Sequence, residues 1–276
     1  MSYSIIALDL DGTLTNSRKE LTDITRDALF RVMDSGAKVV LASGRPTYGI
    51  APLAEKLEMA QRGGYVMAFN GGVVTDWKTK KVIYSKTLPH DVLPALAEEA
   101  HRAGVAIVTY KGDTILTERP DDEYVQKEAF INQMKVRKVD DFLTAIDFDP
   151  AKCLIAGQPS ILAPLCEEMQ KRLEDKMEVY RSAPYFIELV PKGIDKALSL
   201  GRLLGELSLS PADMIAFGDG YNDLSMLRLA GMGVAMGNAE AEVRAAADYI
   251  TDTNDRDGVA KALERFFPQA FQSKQS

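Results

Sequence analysis

Asp9 and Asp11 stand two residues apart in Asp9-Leu10-Asp11-Gly12-Thr13, directly after the apolar run Ile5-Ile6-Ala7-Leu8. Residues two apart on an extended chain point to one side, so both carboxyl groups would face the same way. Two carboxylates held together do not both stay ionised cheaply without a cation or a shared proton. The pair therefore implies a divalent metal site, an acid/base pair, or both. A lone Asp-x-Asp is equally open to a plainer reading, in which the acids cap a helix or solvate a turn.

A second acidic group weakens the plainer reading. Gly218-Asp219-Gly220-Tyr221-Asn222-Asp223 follows another apolar run, Met214 to Phe217. Asp219 and Asp223 are four apart, so a helical turn would stack them on one face. If both runs are neighbouring strands, four carboxylates converge. Oxygen ligands of that kind suit a hard cation such as Mg²⁺, which keeps waters that a phosphate can replace. Acids favoured at a helix N-terminus would explain either residue singly, but not two clusters at corresponding strand ends.

Groups able to hold an anion complete the set. Ser43-Gly44-Arg45 offers a hydroxyl, backbone N–H groups and a guanidinium after the apolar run Val39 to Ala42. Ser-Gly alone is also a turn signal. Lys192 and Lys196 flank Gly193 just before a helical pattern. Either could be a solvated surface lysine, yet a lysine beside several carboxylates would balance their charge.

These residues need a scaffold that brings strand ends together. Apolar runs ending in small or acidic residues read as buried parallel strands: 5–8, 39–42, 66–69, 214–217, 233–236 and 249–250. Helical spacing recurs over 24–33, 197–207, 224–229, 239–247 and 259–267. Strand, helix, strand at this rhythm predicts right-handed βαβ units and one doubly wound α/β domain built from both ends of the chain. In such sheets ligands collect beyond the carboxyl ends of the strands. The middle reads as an α+β insertion: helices over 92–103 and 162–173 alternate with strands over 105–110, 114–117 and 153–156. Expected boundaries are core 1–85, insertion 86–186 and core 187–276. The polar tail from Gln269 to Ser276 is expected to fray.

Composition narrows the partners. A net charge of −7 and a pI near 5.1 argue against a nucleic-acid binder. No run approaches the roughly 18 apolar residues of a membrane span, and the N-terminus lacks a basic leader. The two cysteines, Cys153 and Cys166, lack metal-type spacing and read as reduced thiols. A cytoplasmic protein acting on small molecules is the expectation.

Asp9-Leu-Asp-Gly-Thr-Leu, Ser43-Gly-Arg, Lys196 and Gly218-Asp-Gly-Tyr-Asn-Asp resemble the four ordered motifs of the haloacid dehalogenase superfamily of phosphohydrolases. The insertion, Asn70-Gly71-Gly72 and the run Gly231 to Asn238 resemble its Cof-like sugar phosphatase subgroup, which carries an α/β cap. The resemblance spans essentially the whole chain and implies a Rossmann-like core with an inserted cap that covers the site and reads the leaving group. It implies Asp9 as nucleophile and Asp11 as general acid/base. It assigns Ser43, Gly44, Arg45, Lys196 and Asn222 to phosphate or substrate. It gives Mg²⁺ to Asp9, the backbone carbonyl of Asp11, Asp219 and Asp223. Lys196 is preferred to Lys192 because the motif lysine directly precedes a helix, although Lys196-Ala197 replaces the usual lysine-glycine pair.

The implied activity is Mg²⁺-dependent hydrolysis of a small phosphomonoester through an aspartyl-phosphate. Sugar phosphates are expected first, with nucleotides and flavin or pyridoxal phosphates also fitting. A phosphomutase on the same scaffold and a non-catalytic phosphate-responsive module are the alternatives. The site is completable within one chain, so a monomer is expected. Tyr110, Lys111, Asp113 and Tyr185 are the expected lining of the cap.

Overall fold

The computed structural model describes residues 3–272 of the 276-residue chain. They divide into two compact units, the first comprising residues 3–44, 50–84 and 195–272, the second residues 45–49 and 85–194.

The first unit is built on an eight-stranded sheet. Its strand order is Tyr249–Ile250, Met232–Ala235, Met214–Gly218, Ile5–Leu8, Lys38–Ala42, Tyr65–Ala68, Val73–Asp76 and Val82–Ser85. The first six are parallel, and Val73–Asp76 turns back antiparallel on Tyr65–Ala68. Ile5–Leu8 is buried at every residue, as a central strand covered on both faces requires. The connecting helix Asp23–Asp34 is capped by the Thr22 side chain, which accepts from the Thr25 N–H. It buries Ala28, Leu29, Val32 and Met33 at helical spacing. These features match the expected doubly wound α/β core. The two edge strands Val73–Asp76 and Val82–Ser85 were not legible, because they are short and only partly buried.

The second unit is a six-stranded sheet ordered Met177–Ala183, Phe186–Pro191, Cys153–Ala156, Ala106–Lys111, Thr114–Thr117 and Lys135–Lys138. Ile107, Cys153, Ile155, Ile187 and Leu189 face the helices Leu93–Ala103 and Pro159–Leu173 in one apolar core. The sheet is antiparallel except for its last pair, which is parallel and joined through the helix Glu123–Asn132. Strand Phe186–Pro191 pairs with Cys153–Ala156, so a boundary at 186/187 would cut a fully buried strand from its sheet. The chain rejoins the first unit at Asp195 instead. Both cysteines are free and buried, and burial pushes the Cys153 thiol up to about 12.

At the C-terminus, Pro268–Phe271 forms a turn of helix, so fraying does not begin at Gln269. Residues 273–276 of the expected tail lie outside the described residues. No helix among the described residues is long and apolar enough to cross a membrane.

Candidate active site

Strands Ile5–Leu8 and Met214–Gly218 run side by side, with Leu8 opposite Phe217. Their acidic continuations therefore leave the sheet together. The Asp9 N–H still donates to the Phe217 carbonyl at 3.0 Å, carrying the register one residue further. Asp9, Asp219 and Asp223 each bring a carboxylate oxygen within 4.8 Å of the others.

Three carboxylates converge where four are expected. The Asp11 carboxylate lies outside that group, where its Oδ1 accepts from Lys19 Nζ at 2.8 Å, yet it is near enough to Asp219 to help raise that carboxyl. Gly12 follows with φ +91, and a Cβ there would stand 2.3 Å from Asp219 Oδ2. Only glycine fits both the backbone conformation and the approach of Asp219. The Thr13 hydroxyl then donates to Asp219 Oδ1 at 2.6 Å.

Lys196 is the cation of the cluster. Its Nζ donates to Asp9 Oδ1 and to Asp223 Oδ1, both at 2.6 Å, and its side chain has no exposed surface. It opens the helix Lys196–Glu206, where a positive charge opposes the helix dipole. Two carboxylates offset that penalty. Asp195 caps the helix, accepting from the Ala197 and Leu198 N–H groups, and its Oδ2 also accepts from the Ser225 hydroxyl. One turn on, the Ser199 hydroxyl donates to the Gly71 carbonyl at 2.8 Å. The start of the helix is thus fastened on two sides, which aims Lys196 into the cluster. Lys192 has no such place: it lies in the second unit, where its carbonyl accepts from the Lys86 ammonium.

Asp223 is held by three donors. Its Oδ2 accepts from the Asp219 and Gly220 N–H groups, both at 3.0 Å, while Oδ1 takes Lys196. The spacing of four thus yields a capped turn, in which Asp223 buckles the loop that carries Asp219.

Charge balance in this cluster is unequal. Burial pushes the Asp9 carboxyl up to about 7, with Asp223 adding to the shift and Lys196 opposing it. Burial also raises Asp219, against the hydrogen bond from Thr13. Burial alone would lower Lys196, yet Asp9 and Asp223 hold it above the ordinary lysine value. Three carboxylates against one ammonium leave a deficit of positive charge among hard oxygen donors. That donor set fits a divalent cation.

The neighbouring strand Lys38–Ala42 brings Ser43 beside this group, since Leu41 pairs with Leu8's flank of the sheet. Ser43 is buried; its N–H donates to the Met67 carbonyl and its carbonyl accepts from the Asn70 N–H, both at 2.9 Å. Gly44 packs on the Asn70 amide, where a Cβ would stand 3.1 Å from Nδ2. Asn70 Oδ1 in turn accepts from Asn222 Nδ2 at 3.2 Å. Asn222 is therefore joined to the Ser43-Gly44 loop through Asn70. Arg45 follows in sequence and falls within the second unit.

A family profile described as haloacid dehalogenase-like hydrolase matches residues 6–263. The chain belongs to that family. Among solved structures, this hydrolase is similar to a haloacid dehalogenase-like hydrolase from Bacteroides thetaiotaomicron. The two are 54% identical, with TM-score 0.94, covering 96% of this chain and 100% of the other. It is also similar to a subclass IIB sugar phosphatase of the superfamily, at 28% identity and TM-score 0.79, covering 96% and 99%. Among curated proteins it is 29% identical to the 5-amino-6-(5-phospho-D-ribitylamino)uracil phosphatase YcsE of Bacillus subtilis, over 96% of each chain.

Several residues of this hydrolase's site escaped motif reading. Thr13 and Asn238 stand in segments that carry the resemblance, the first motif and the run Gly231 to Asn238, but drew no role there; Lys19 acts through a contact across a turn that no local pattern marks. Asn70 was visible only as part of Asn70-Gly71-Gly72; its φ of +54 suits an asparagine. The expected lining residues of the insertion are engaged within the second unit. Tyr110 donates to Glu128, Lys111 pairs with Asp147, Asp113 with Lys135, and Tyr185 stacks on Tyr124.

Proposed function

We propose that the protein is a Mg²⁺-dependent phosphatase of small phosphorylated metabolites, with sugar phosphates as the substrate class. The observation that carries this reading is the buried Lys196 ammonium bridging Asp9 and Asp223 beside Asp219. Family membership supports hydrolysis, and the relatives support the substrate. A sugar phosphate and a phosphoribityl compound both carry phosphate on a polyhydroxylated carbon chain.

In this scheme an Asp9 carboxylate oxygen attacks phosphorus and the bond from phosphorus to the leaving oxygen breaks. Asp11 gives its proton to that oxygen, so the alcohol departs neutral. Asp11 then takes a proton from water as the water oxygen attacks phosphorus, and the bond to Asp9 breaks, releasing inorganic phosphate. Ser43 and Lys196 hold the transferring group, with the Gly44 backbone, Arg45 and Asn222 as further contacts to phosphate or substrate. Asp9, Asp219, the Asp11 carbonyl and Asp223 would hold Mg²⁺, which when bound neutralises the negative charge that builds on the phosphoryl oxygens.

A phosphate-release screen with Mg²⁺ over sugar phosphates, nucleotides and cofactor phosphates tests the proposal, with Asp9→Asn as the blank. Release from sugar phosphates that Asp9→Asn reduces by a factor on the order of 10³ or more is expected. Substantial turnover by Asp9→Asn would falsify the covalent scheme.

A further inference from the structure

The geometry points to Asn238 and Asn254 as positioning residues that clasp the Asp11 loop and set the aim of Asp11, an inference that rests on the phosphatase reading above. Neither residue belongs to the four motifs. Asn238 Nδ2 donates to the Gly12 carbonyl at 2.8 Å, one residue past Asp11. Its Oδ1 accepts from the Asn254 N–H at 2.9 Å, and Asn254 Nδ2 donates to the Thr15 carbonyl at 2.9 Å. Two carbonyls of the loop are thus tied to one linked pair of asparagines.

Inside the loop the Leu14 N–H donates to the Asp9 carbonyl at 3.2 Å, and the Thr15 N–H and hydroxyl donate to the Leu10 carbonyl, both at 2.9 Å; the asparagine pair adds a grip from outside it, on the carbonyls of Gly12 and Thr15. The loop leaves the sheet at Asp9 and reverses at Gly12, where φ is +91. A glycine turn resists rotation poorly, so its orientation depends on what grips its peptide groups. Thr13 grips Asp219 on one side of the turn, and Asn238 holds the Gly12 carbonyl.

The clasp extends to the partner of Asp11. Residues 16–20 form a tight hairpin in which Asn16 Oδ1 accepts from the Arg18 and Glu20 N–H groups, at 3.0 and 2.9 Å. Lys19 sits at φ +62, a left-handed conformation that is strained for a lysine. That conformation directs its ammonium to Asp11. Asp255, next to Asn254, accepts from the Ser17 N–H at 2.8 Å and secures the hairpin. The backbone after Asp11 and the cation beside it are therefore both held from the segment 238–255.

The segment is itself anchored at the site. The Met236 N–H donates to the Gly218 carbonyl at 3.0 Å, and the Glu240 N–H to the Asp219 carbonyl at 3.2 Å. Asn238 thus relates the loop carrying Asp11 to the loop carrying Asp219. Loosening it should misdirect proton transfer while leaving the Lys196 contacts to Asp9 and Asp223 in place.

Asn238→Asp is the sharpest variant. It is isosteric, keeps an acceptor for the Asn254 N–H, and replaces the donor to Gly12 with a second oxygen. Asn254→Asp does the same at Thr15 without touching the backbone N–H to Asn238. Each is compared with wild type on ribose 5-phosphate, whose alkoxide needs a proton to depart, and on 2,4-dinitrophenyl phosphate, whose phenolate does not. The readout is kcat/KM, which covers only the steps through release of the alcohol and so leaves out the base role of Asp11 in the second step; a fall of about tenfold is expected on the sugar phosphate, a fraction of what proton transfer contributes. On the aryl ester the fall in kcat/KM is expected to stay below about twofold. Equal losses on both esters, or no loss on either in both variants, would overturn the positioning role. Failure of wild type on both esters would instead overturn the phosphatase reading.

Discussion

Each unit of the molecule buries a group of charged side chains, and the two groups differ in how far their charge is balanced. In the second unit, Lys152 pairs with Glu188 at 2.8 Å, Ser182 donates to Glu188, and Tyr110 donates to Glu128. Each carboxylate there has a donor of its own. In the first unit, Asp9 and Asp223 share the single ammonium of Lys196, and Asp219 is held by a hydroxyl. Carboxylates outnumber ammonium groups in both, two to one in the second unit and three to one in the first, so the larger deficit of positive charge lies in the first. The larger that deficit, the more a buried cluster gains from a ligand that supplies the remainder.

Lysine removal should separate the two most widely. Lys196→Met is expected to lower kcat by about 10²–10³-fold, since it removes a charge aimed at the transferring group. Lys152→Met is expected to leave turnover of an aryl phosphate within a few-fold. Both variants should lose stability, by about 3–5 kcal/mol, because each strands buried carboxylates. Urea unfolding with and without Mg²⁺ tells them apart: the metal should narrow the deficit of Lys196→Met and leave that of Lys152→Met unchanged. Equal rescue of both would erase the distinction drawn here.

A smaller effect follows from pH. Asp9 titrates at about 7 in the fold, against about 3.9 for an unfolded aspartate. Between these values the native state binds the proton more tightly, so stability from this group falls as pH rises through the window and is level above it. A divalent cation competes with that proton. The rise in melting temperature given by Mg²⁺ over a chelator should therefore be larger at pH 8 than at pH 5. A gain independent of pH would place the metal away from Asp9.

The smallest expected effect tests the cluster of the second unit. Tyr110→Phe removes the donor to Glu128 Oε1 and should cost about 1–2 kcal/mol in urea unfolding, with no change in metal response. A magnesium-dependent deficit in this variant would show that the second cluster, too, depends on the ion.

Much of this was readable along the chain. Apolar runs ending in small or polar residues announced the parallel strands, because a strand buried on both faces must be continuously apolar and can become polar only where it leaves the sheet. The edge pair Val73–Asp76 and Val82–Ser85 stayed hidden, since half-exposed four-residue strands carry little pattern. The return from the insertion was set too early at 187, because Phe186–Pro191 looks the same in sequence whichever sheet it joins. Arg45 followed the phosphate motif directly, yet compactness groups it with the second unit. Lys19, Asn238 and Asn254 could not be found from spacing, as each matters through a partner that folding alone supplies.

The sequence by itself determined which chemistry is available: aspartates at two strand ends, a serine and glycine at a third, and a lysine at a helix start. Residue type and local spacing suffice for that, because they govern charge, turn formation and strand burial. Tertiary structure decided how the charges are shared. The register of Ile5–Leu8 beside Met214–Gly218 puts Asp9 against Asp219 and Asp223. The fastened helix start gives Lys196 to Asp9 and Asp223 together, and the Gly12 turn gives Asp11 to Lys19. Ionic interactions depend on separation and burial, and both are properties of the folded chain rather than of residue order.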